Sequence, residues 1–256
     1  MRVEHIYRYP VKGLTAEALE EVTLREGECL PHDRRFALAQ GDAPFDTAAP
    51  TWLQKRHFGC LMANARLALL HTAFDPRSGQ LLIRPPEGAP FLGDTRSEEG
   101  RVAIAAWLAA FMGEEARGVP RFVEAPGHNF TDVAAKCISI ISLASLAALE
   151  EAAGMRLDPL RFRANVYVSG GVPWADFGLL GQEIQLGGAR LRVFKRIVRC
   201  PATEVNPETA ERDAKPPKVL REAFGHADLG VYAEVIEGGR LAVGDALEPL
   251  QGELLH

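Results

Sequence analysis

Short runs that alternate apolar and polar residues, or are dense in β-branched side chains, recur along the whole chain. They fall at 2–9, 19–25, 35–40, 65–72, 80–84, 120–124, 137–141, 163–168, 182–186, 189–198, 229–237 and 245–250. A period of two over a few residues is the signature of a strand with one buried face. Turn chemistry separates the runs, in "DPRSGQ" (75–80), "PPEGAP" (85–90), "LGG" (186–188), "NPET" (206–209) and "EGGR" (237–240). Gly, Pro, Asn and Asp supply the backbone angles of tight reversals, so antiparallel pairing is expected rather than a doubly wound sheet. Helical spacing is confined to a few stretches. Ser97 caps "EEGRVAIAAWLAAFMG", with Val102, Ala105, Ala106, Trp107 and Leu108 as its apolar face and Gly113 as its stop. Ser142 caps a second helix, striped by Leu143, Leu146, Ala147 and Leu149 and stopped at Gly154; a third runs from Pro217 to Gly225. The predicted fold is mainly β with a few helices (α+β): an antiparallel β-barrel packed against an N-terminal β-rich lobe. Glycine and proline punctuation through 113–128 places the boundary there, giving a lobe over 1–118 and a barrel over 119–256.

Composition narrows the function. With 47 % hydrophobic and 25 % charged residues, the 256-residue chain has the make-up of an ordinary globular protein. A formal charge of −5 excludes nucleic acid or an anionic membrane as the main partner, so any bound anion must be held locally. No stretch approaches the roughly 20 apolar residues that span a bilayer, and the opening "MRVEHIYRYPVKG" lacks a signal-peptide core, so a cytoplasmic address is expected. Cys29, Cys60, Cys137 and Cys200 form no CxxC pair, which argues against a disulfide framework or structural zinc. The chain has no GxSxG elbow, phosphate-binding GxxxxGK[ST], GxGxxG or HExxH. His32, His57, His71, His128 and His226 are scattered and read as capping or surface groups.

The cations say more. Arg190, Arg192, Lys195, Arg196 and Arg199 stand together with no acid among them. On a regular strand Arg190, Arg192 and Arg196 would share one face, and Lys195 and Arg199 the other. Further basic islands occur at Lys12, Arg34–Arg35, Lys55–Arg56 and at Arg161 and Arg163. Each alone reads as a solvated surface group. Several on a net-acidic chain point to one convergent anion pocket, because guanidinium forks match phosphate oxygens and lysine supplies a compact charge. Cys200 follows Arg199 and precedes Pro201, which drives it into extended geometry at a strand end. Neighbouring cations would favour its thiolate, the form that attacks electrophiles or ligates soft metals. By contrast Cys137, in "KCISII", and Cys60, in "GCLM", read as buried small hydrophobes, while acids around Cys29 would raise its pKa.

Four segments in order, "YRYPVKG", "HDRRFALA", "RFRANVYV" and "RCPATEVNPETAERD", together resemble the MOSC-domain family with its N-terminal β-barrel extension. That family includes the mitochondrial amidoxime-reducing component and bacterial relatives. The resemblance covers about residues 2–250. It implies a molybdenum cofactor, molybdenum held by a molybdopterin, with Cys200 as the one protein ligand of the metal and the catalytic residue. It also implies that Lys12 reaches the cofactor's phosphate, that Arg34 binds pterin or phosphate, and that Arg163 and Asn165 flank the pterin and metal, with Arg199 beside them. Relatives often carry serine where Gly13 stands, so a backbone amide would replace that phosphate contact. Lys55 and Arg56 lie in a segment unlike the commoner form and are only candidate contributors. No cysteine follows Cys200, so no iron–sulfur cluster is expected in this chain.

The implied activity is an oxidoreductase that reduces N-hydroxylated small molecules, with electrons from separate redox proteins such as a ferredoxin-like protein or a flavin reductase. Two alternatives stand beside it. One is a sulfur-carrier or cofactor-delivery protein with a persulfide on Cys200. The other is a non-catalytic module that grips a phosphorylated ligand.

Overall fold

The chain runs β1 (Arg2–Arg8), β2 (Glu17–Leu19), β3 (Glu21–Leu24), β4 (Phe36–Ala39), β5 (His71–Asp75), β6 (Gln80–Arg84), β7 (Phe91–Asp94), α1 (Glu98–Met112), β8 (Arg121–Glu124), β9 (Ile138–Ser142), α2 (Leu143–Ala153), β10 (Val166–Ser169), β11 (Glu183–Leu186), β12 (Ala189–Val198), α3 (Pro216–Phe224), β13 (Asp228–Glu237), β14 (Gly239–Ala242) and β15 (Leu247–Pro249). The computed structural model describes residues 1–250; the last six residues of the expected barrel domain, 251–256, lie outside the described residues.

Eight strands form one sheet in the order β15-β11-β12-β13-β9-β10-β1-β2. It curls until β1 meets the approach to β15, where Val3 N–H donates to Asp245 O and Leu247 N–H to Met1 O, both at 2.8 Å. Alternate side chains from these strands, among them Val3, Ile6, Ile140, Val168, Leu191 and Val231, fill the interior. All pairings in the sheet are antiparallel except β9 with β10, because the intervening α2 carries the chain back to its starting end. The other lobe packs β4–β8 and β5-β6-β7 against α1 around Phe36, Phe74, Leu81, Ile104 and Leu108.

Strand pairing crosses the 118/119 division in both directions. β1 and β2 belong to the large sheet, β3 pairs with β14, and β4 pairs with β8. The chain therefore passes between the two cores at residues 9–13 and again near 33–34, which sets Lys12 and Arg34 at the seam.

The caps were legible. Ser97 Oγ accepts from Gly100 N–H, Ser142 Oγ from Ser145 N–H, and Gly154 and Gly225 close α2 and α3 in left-handed geometry. The face of α1 is rotated from the expected one. Ile104, Ala105, Leu108 and Met112 are buried, while Val102 and Ala106 face solvent. Gly93 on β7 explains this: a Cβ there would lie 2.3 Å from Ile104 Cγ1, so the helix seats itself through Ile104. Residues 65–69, expected in a strand, form a 3-10 turn, held by Asn64 between Cys60 N–H and Glu115 O. The 19–25 run breaks at Glu20 as the chain switches from β1 to β14 as neighbour, and the strand expected from 163 begins only at Val166. β14 begins at Gly239, inside the segment 237–240 that read as turn chemistry.

Candidate functional site: a cationic cavity around Cys200

Cys200 ends β12 with an extended backbone (φ −127°, ψ 171°), and Pro201 opens a 3-10 turn behind it. Its carbonyl is pinned by Thr203 N–H at 3.0 Å and Thr203 Oγ1 at 2.9 Å. The thiol is half-buried and faces a cavity of about 270 Å³ at the seam between the two cores. Eight basic and two acidic side chains line this cavity, on a chain whose overall charge is −5. Lys12, Gly13, Arg34, Arg163, Asn165 and Arg199 all contribute to its wall, so the scattered sequence positions do converge.

They do different things there. Lys12, 7 % exposed, donates from Nζ to Phe130 O at 2.9 Å and to Asp132 Oδ1 at 2.5 Å. Gly13 has φ +86°, and a Cβ would approach Gly59 O to 2.8 Å, so no side chain fits where relatives use serine. Arg34 donates to both Asp33 oxygens and to Arg163 O, and its guanidinium lies 4.3 Å from the Tyr9 ring centre. Arg163 lies 4.4 Å from the same ring. Both arginines hold left-handed backbones (φ 47° and 52°), conformations that non-glycine residues adopt only where the surroundings impose them.

Arg163 lies deep in the wall without a partner: among the described residues its guanidinium makes no ion pair and no hydrogen bond. Burial, with Arg34 nearby adding like charge, lowers its pKa to about 10, although Tyr9 pulls the other way. Such a group favours an anion or an acceptor-rich ring edge, and this fits a phosphorylated pterin. The half-buried thiol fits a soft metal.

Two of the expected cofactor-binding residues, both in the cavity wall, spend most of their hydrogen bonds on the fold. Asn165 spends its amide on the fold: Oδ1 accepts from Ser139 N–H at 3.1 Å and Ser139 Oγ at 2.8 Å, and Nδ2 donates to Tyr7 O at 3.2 Å. It ties β1, β9 and the entry to β10 together and leaves one N–H for a ligand. Arg199, 7 % exposed, donates from Nε and Nη2 to Leu229 O and from Nη1 to Phe162 O. Its donors face backbone carbonyls, which makes it a staple behind the thiol.

Three residues were left open or missed: Lys55 and Arg56 as candidate contributors, and Asp132 altogether. Lys55 Nζ donates to Cys200 Sγ at 3.0 Å and lies 3.7 Å from Asp132 Oδ2. Burial would lower the Lys55 pKa, but Asp132 and Cys200 outweigh it and the ammonium is favoured. Arg56 faces solvent away from the cavity, its carbonyl held by Arg117. Asp132 had no sequence signal, yet it bridges Lys12 and Lys55. Burial would raise its pKa, and those two ammoniums instead hold it well below the usual carboxylate range.

The remaining cysteines behave as small hydrophobes or inert thiols. Cys60 and Cys137 are buried, and burial, with Asp33 adding to it, pushes the Cys29 thiol up to about 12. Among the described residues no cluster of three or more His, Cys, Asp or Glu could hold a metal, so a metal here would depend on Cys200 and on ligands brought with it. Nor is any described helix long and apolar enough to cross a membrane.

Two family models divide the chain between them. The MOSC N-terminal beta barrel domain matches residues 1–117 and the MOSC domain matches residues 125–248. This chain is a MOSC-domain protein with the N-terminal barrel extension. The MOSC family is generally associated with molybdenum-cofactor binding and sulfurase-like chemistry, and here the MOSC domain contributes Cys200, Arg163 and Asn165 while the extension contributes Lys12, Arg34 and Lys55. No curated protein is significantly similar to this MOSC protein. Among solved structures it is similar to the YuaD protein from Bacillus subtilis, at 18 % identity and a TM-score of 0.45 over 98 % of this chain and 96 % of that one. It is also similar to YiiM from Geobacillus stearothermophilus, at 19 % identity and a TM-score of 0.36 over 46 % and 56 %. Both likenesses are too loose to carry an argument about the site.

Proposed function

We propose that this MOSC protein is a molybdenum-cofactor oxidoreductase that reduces N-hydroxylated small molecules. The observation that supports it is the half-buried Cys200 thiol set in a cavity walled by eight basic side chains, one of them the unpartnered Arg163. Cys200 would ligate the metal, Arg163, Arg34 and Lys12 would hold the phosphorylated pterin, and Gly13 would let backbone approach closely where a side chain cannot fit. The cofactor, when bound, supplies the redox centre and oxygen acceptor.

The chain's own residues do the rest. Reduction of an N–OH group to N–H releases water and consumes two electrons and two protons. Lys55 Nζ, 3.0 Å from Sγ, holds protons beside the reacting region, and Asp132 holds Lys55 in place. Tyr9, 1 % exposed, lies against both arginines and fixes where their charge sits. Electrons arrive from a separate redox protein.

The test is metal and pterin analysis of protein made in a host able to synthesise the cofactor. Wild type should co-purify with molybdenum and pterin, and Cys200→Ser should lose the metal while keeping part of the pterin. Wild type carrying neither would sink the reading. The Lys55 contact also favours a second one, a sulfur carrier, because an ammonium against Sγ stabilises a persulfide anion as well. A persulfide mass shift on Cys200 in metal-free protein would select it.

A further inference from the structure

Among the described residues Cys200 Sγ has one hydrogen-bond donor, and it is not one of the arginines that precede the thiol in sequence. Arg199 turns its guanidinium to the Leu229 and Phe162 carbonyls, and Arg196 stacks 4.4 Å from the centre of the Phe177 ring. The donor is Lys55, 145 positions away in the N-terminal extension, with Nζ 3.0 Å from Sγ.

Local structure fixes both ends of this contact. Lys55 opens a 3-10 turn over Lys55–His57 whose carbonyls are all taken: Lys55 O accepts from Phe58 N–H at 3.0 Å, Arg56 O from the Arg117 guanidinium and His57 O from Gln40 N–H at 2.9 Å. Phe58, 2 % exposed, anchors the turn against Phe45 and Phe130. On the other side Thr203 pins the Cys200 carbonyl.

Asp132 decides which acceptor the ammonium uses. Its Oδ1 is taken by Lys12 at 2.5 Å, and its Oδ2 lies 3.7 Å from Lys55 Nζ, close enough for charge attraction but beyond a hydrogen bond. The carboxylate therefore keeps the ammonium in the seam while sulfur takes its hydrogen bond. A charge-assisted hydrogen bond onto a thiolate withdraws electron density from it, and hydrogen bonds to a ligating sulfur are among the levers that set a metal's potential. Each electron the metal takes up adds one negative charge, so a fixed cation beside its ligand favours the reduced form.

We propose that Lys55 is the positioning residue of the Cys200 sulfur: its ammonium, held by Asp132, sets a fixed positive charge against Sγ and raises the reduction potential of the molybdenum ligated there. This rests on the oxidoreductase reading and adds how the chain sets the electron affinity of its metal.

The experiment compares wild type, Lys55→Met and the charge-keeping Lys55→Arg, each checked for folding by thermal unfolding. In cofactor-loaded protein the midpoint potential of the molybdenum is followed by its EPR signal at fixed pH. It should be lower in Lys55→Met by about 59 mV, a tenfold shift of a one-electron equilibrium, and Lys55→Arg should keep most of the wild-type value. In cofactor-free protein, Cys200 is labelled with two methanethiosulfonates, one carrying a sulfonate and the other a quaternary ammonium, and the rates are read on the Cys200 peptide. Both reagents react with the same thiolate at the same pH, so the ratio of their rates reads the charge at sulfur. The anionic-to-cationic ratio should fall about tenfold in Lys55→Met and be kept in Lys55→Arg. An unchanged rate ratio overturns the proposal, and so does a potential that is unchanged or raised in Lys55→Met. Wild type without molybdenum overturns the redox consequence together with the oxidoreductase reading, and the labelling ratio then decides the lysine–sulfur contact by itself.

Discussion

Replacing Asp132 by Asn removes one charge and almost no volume. In the structure that charge faces Lys12 Nζ at 2.5 Å and Lys55 Nζ at 3.7 Å. The Lys12 side chain is 8 % exposed, so without the carboxylate its ammonium keeps only Phe130 O and the neutral amide. Removing one partner of a fully buried pair costs about 3–5 kcal/mol. Asp132 is 47 % exposed, and water screens much of that interaction, so the expected loss is about 1–2 kcal/mol at neutral pH. The pH dependence has a fixed sign. The folded-state pKa of Asp132 is depressed, so its contribution is complete above the unfolded carboxylate value of about 3.9 and is lost as pH falls through the folded value. Urea unfolding followed by tryptophan fluorescence should show a constant gap between wild type and Asp132→Asn from about pH 8 to pH 5, shrinking below about pH 4. A gap near zero at pH 7, or one that widens toward acid, would refute the assignment of Asp132 as the counter-ion that holds Lys12 and Lys55.

Arg199→Met should lower the stability of the cofactor-free protein by about 2–4 kcal/mol, since the Leu229 and Phe162 carbonyls lose their charged donors; a fully stable variant that merely fails to load cofactor would return Arg199 to the binding role. Gly230→Ala places a Cβ 2.4 Å from Ile140 O at φ +83°, and should cost at least about 2 kcal/mol in thermal or urea unfolding.

The strand-rich architecture, the helix caps Ser97, Ser142, Gly154 and Gly225, and the strand-end position of Cys200 could be read from the chain because they depend on local signals: period, capping hydroxyls, glycine stops and the restriction before Pro201. The convergence of Lys12, Arg34, Arg163 and Cys200 was legible only as a charge imbalance, cations in islands on an acidic chain. What each cation does once there was decided by tertiary structure. Arg199 and Asn165 stand among the best sequence candidates, yet backbone carbonyls and Ser139 take most of their hydrogen bonds, and sequence spacing does not say which carbonyls a fold will leave unpaired. The bulge at Val193/Lys195, which sets Phe194 and Lys195 over Tyr232 while Arg196 lies opposite Val231, depends on how β12 registers against β13. Asp132 carries no motif, and its role comes from lying within reach of lysines more than seventy positions away, a consequence of the chain crossing between two cores. Local sequence determined the elements and the charge of the site, while long-range register and the seam determined which side chains meet, because hydrogen bonds and ion pairs act over a few ångströms and only packing sets those distances.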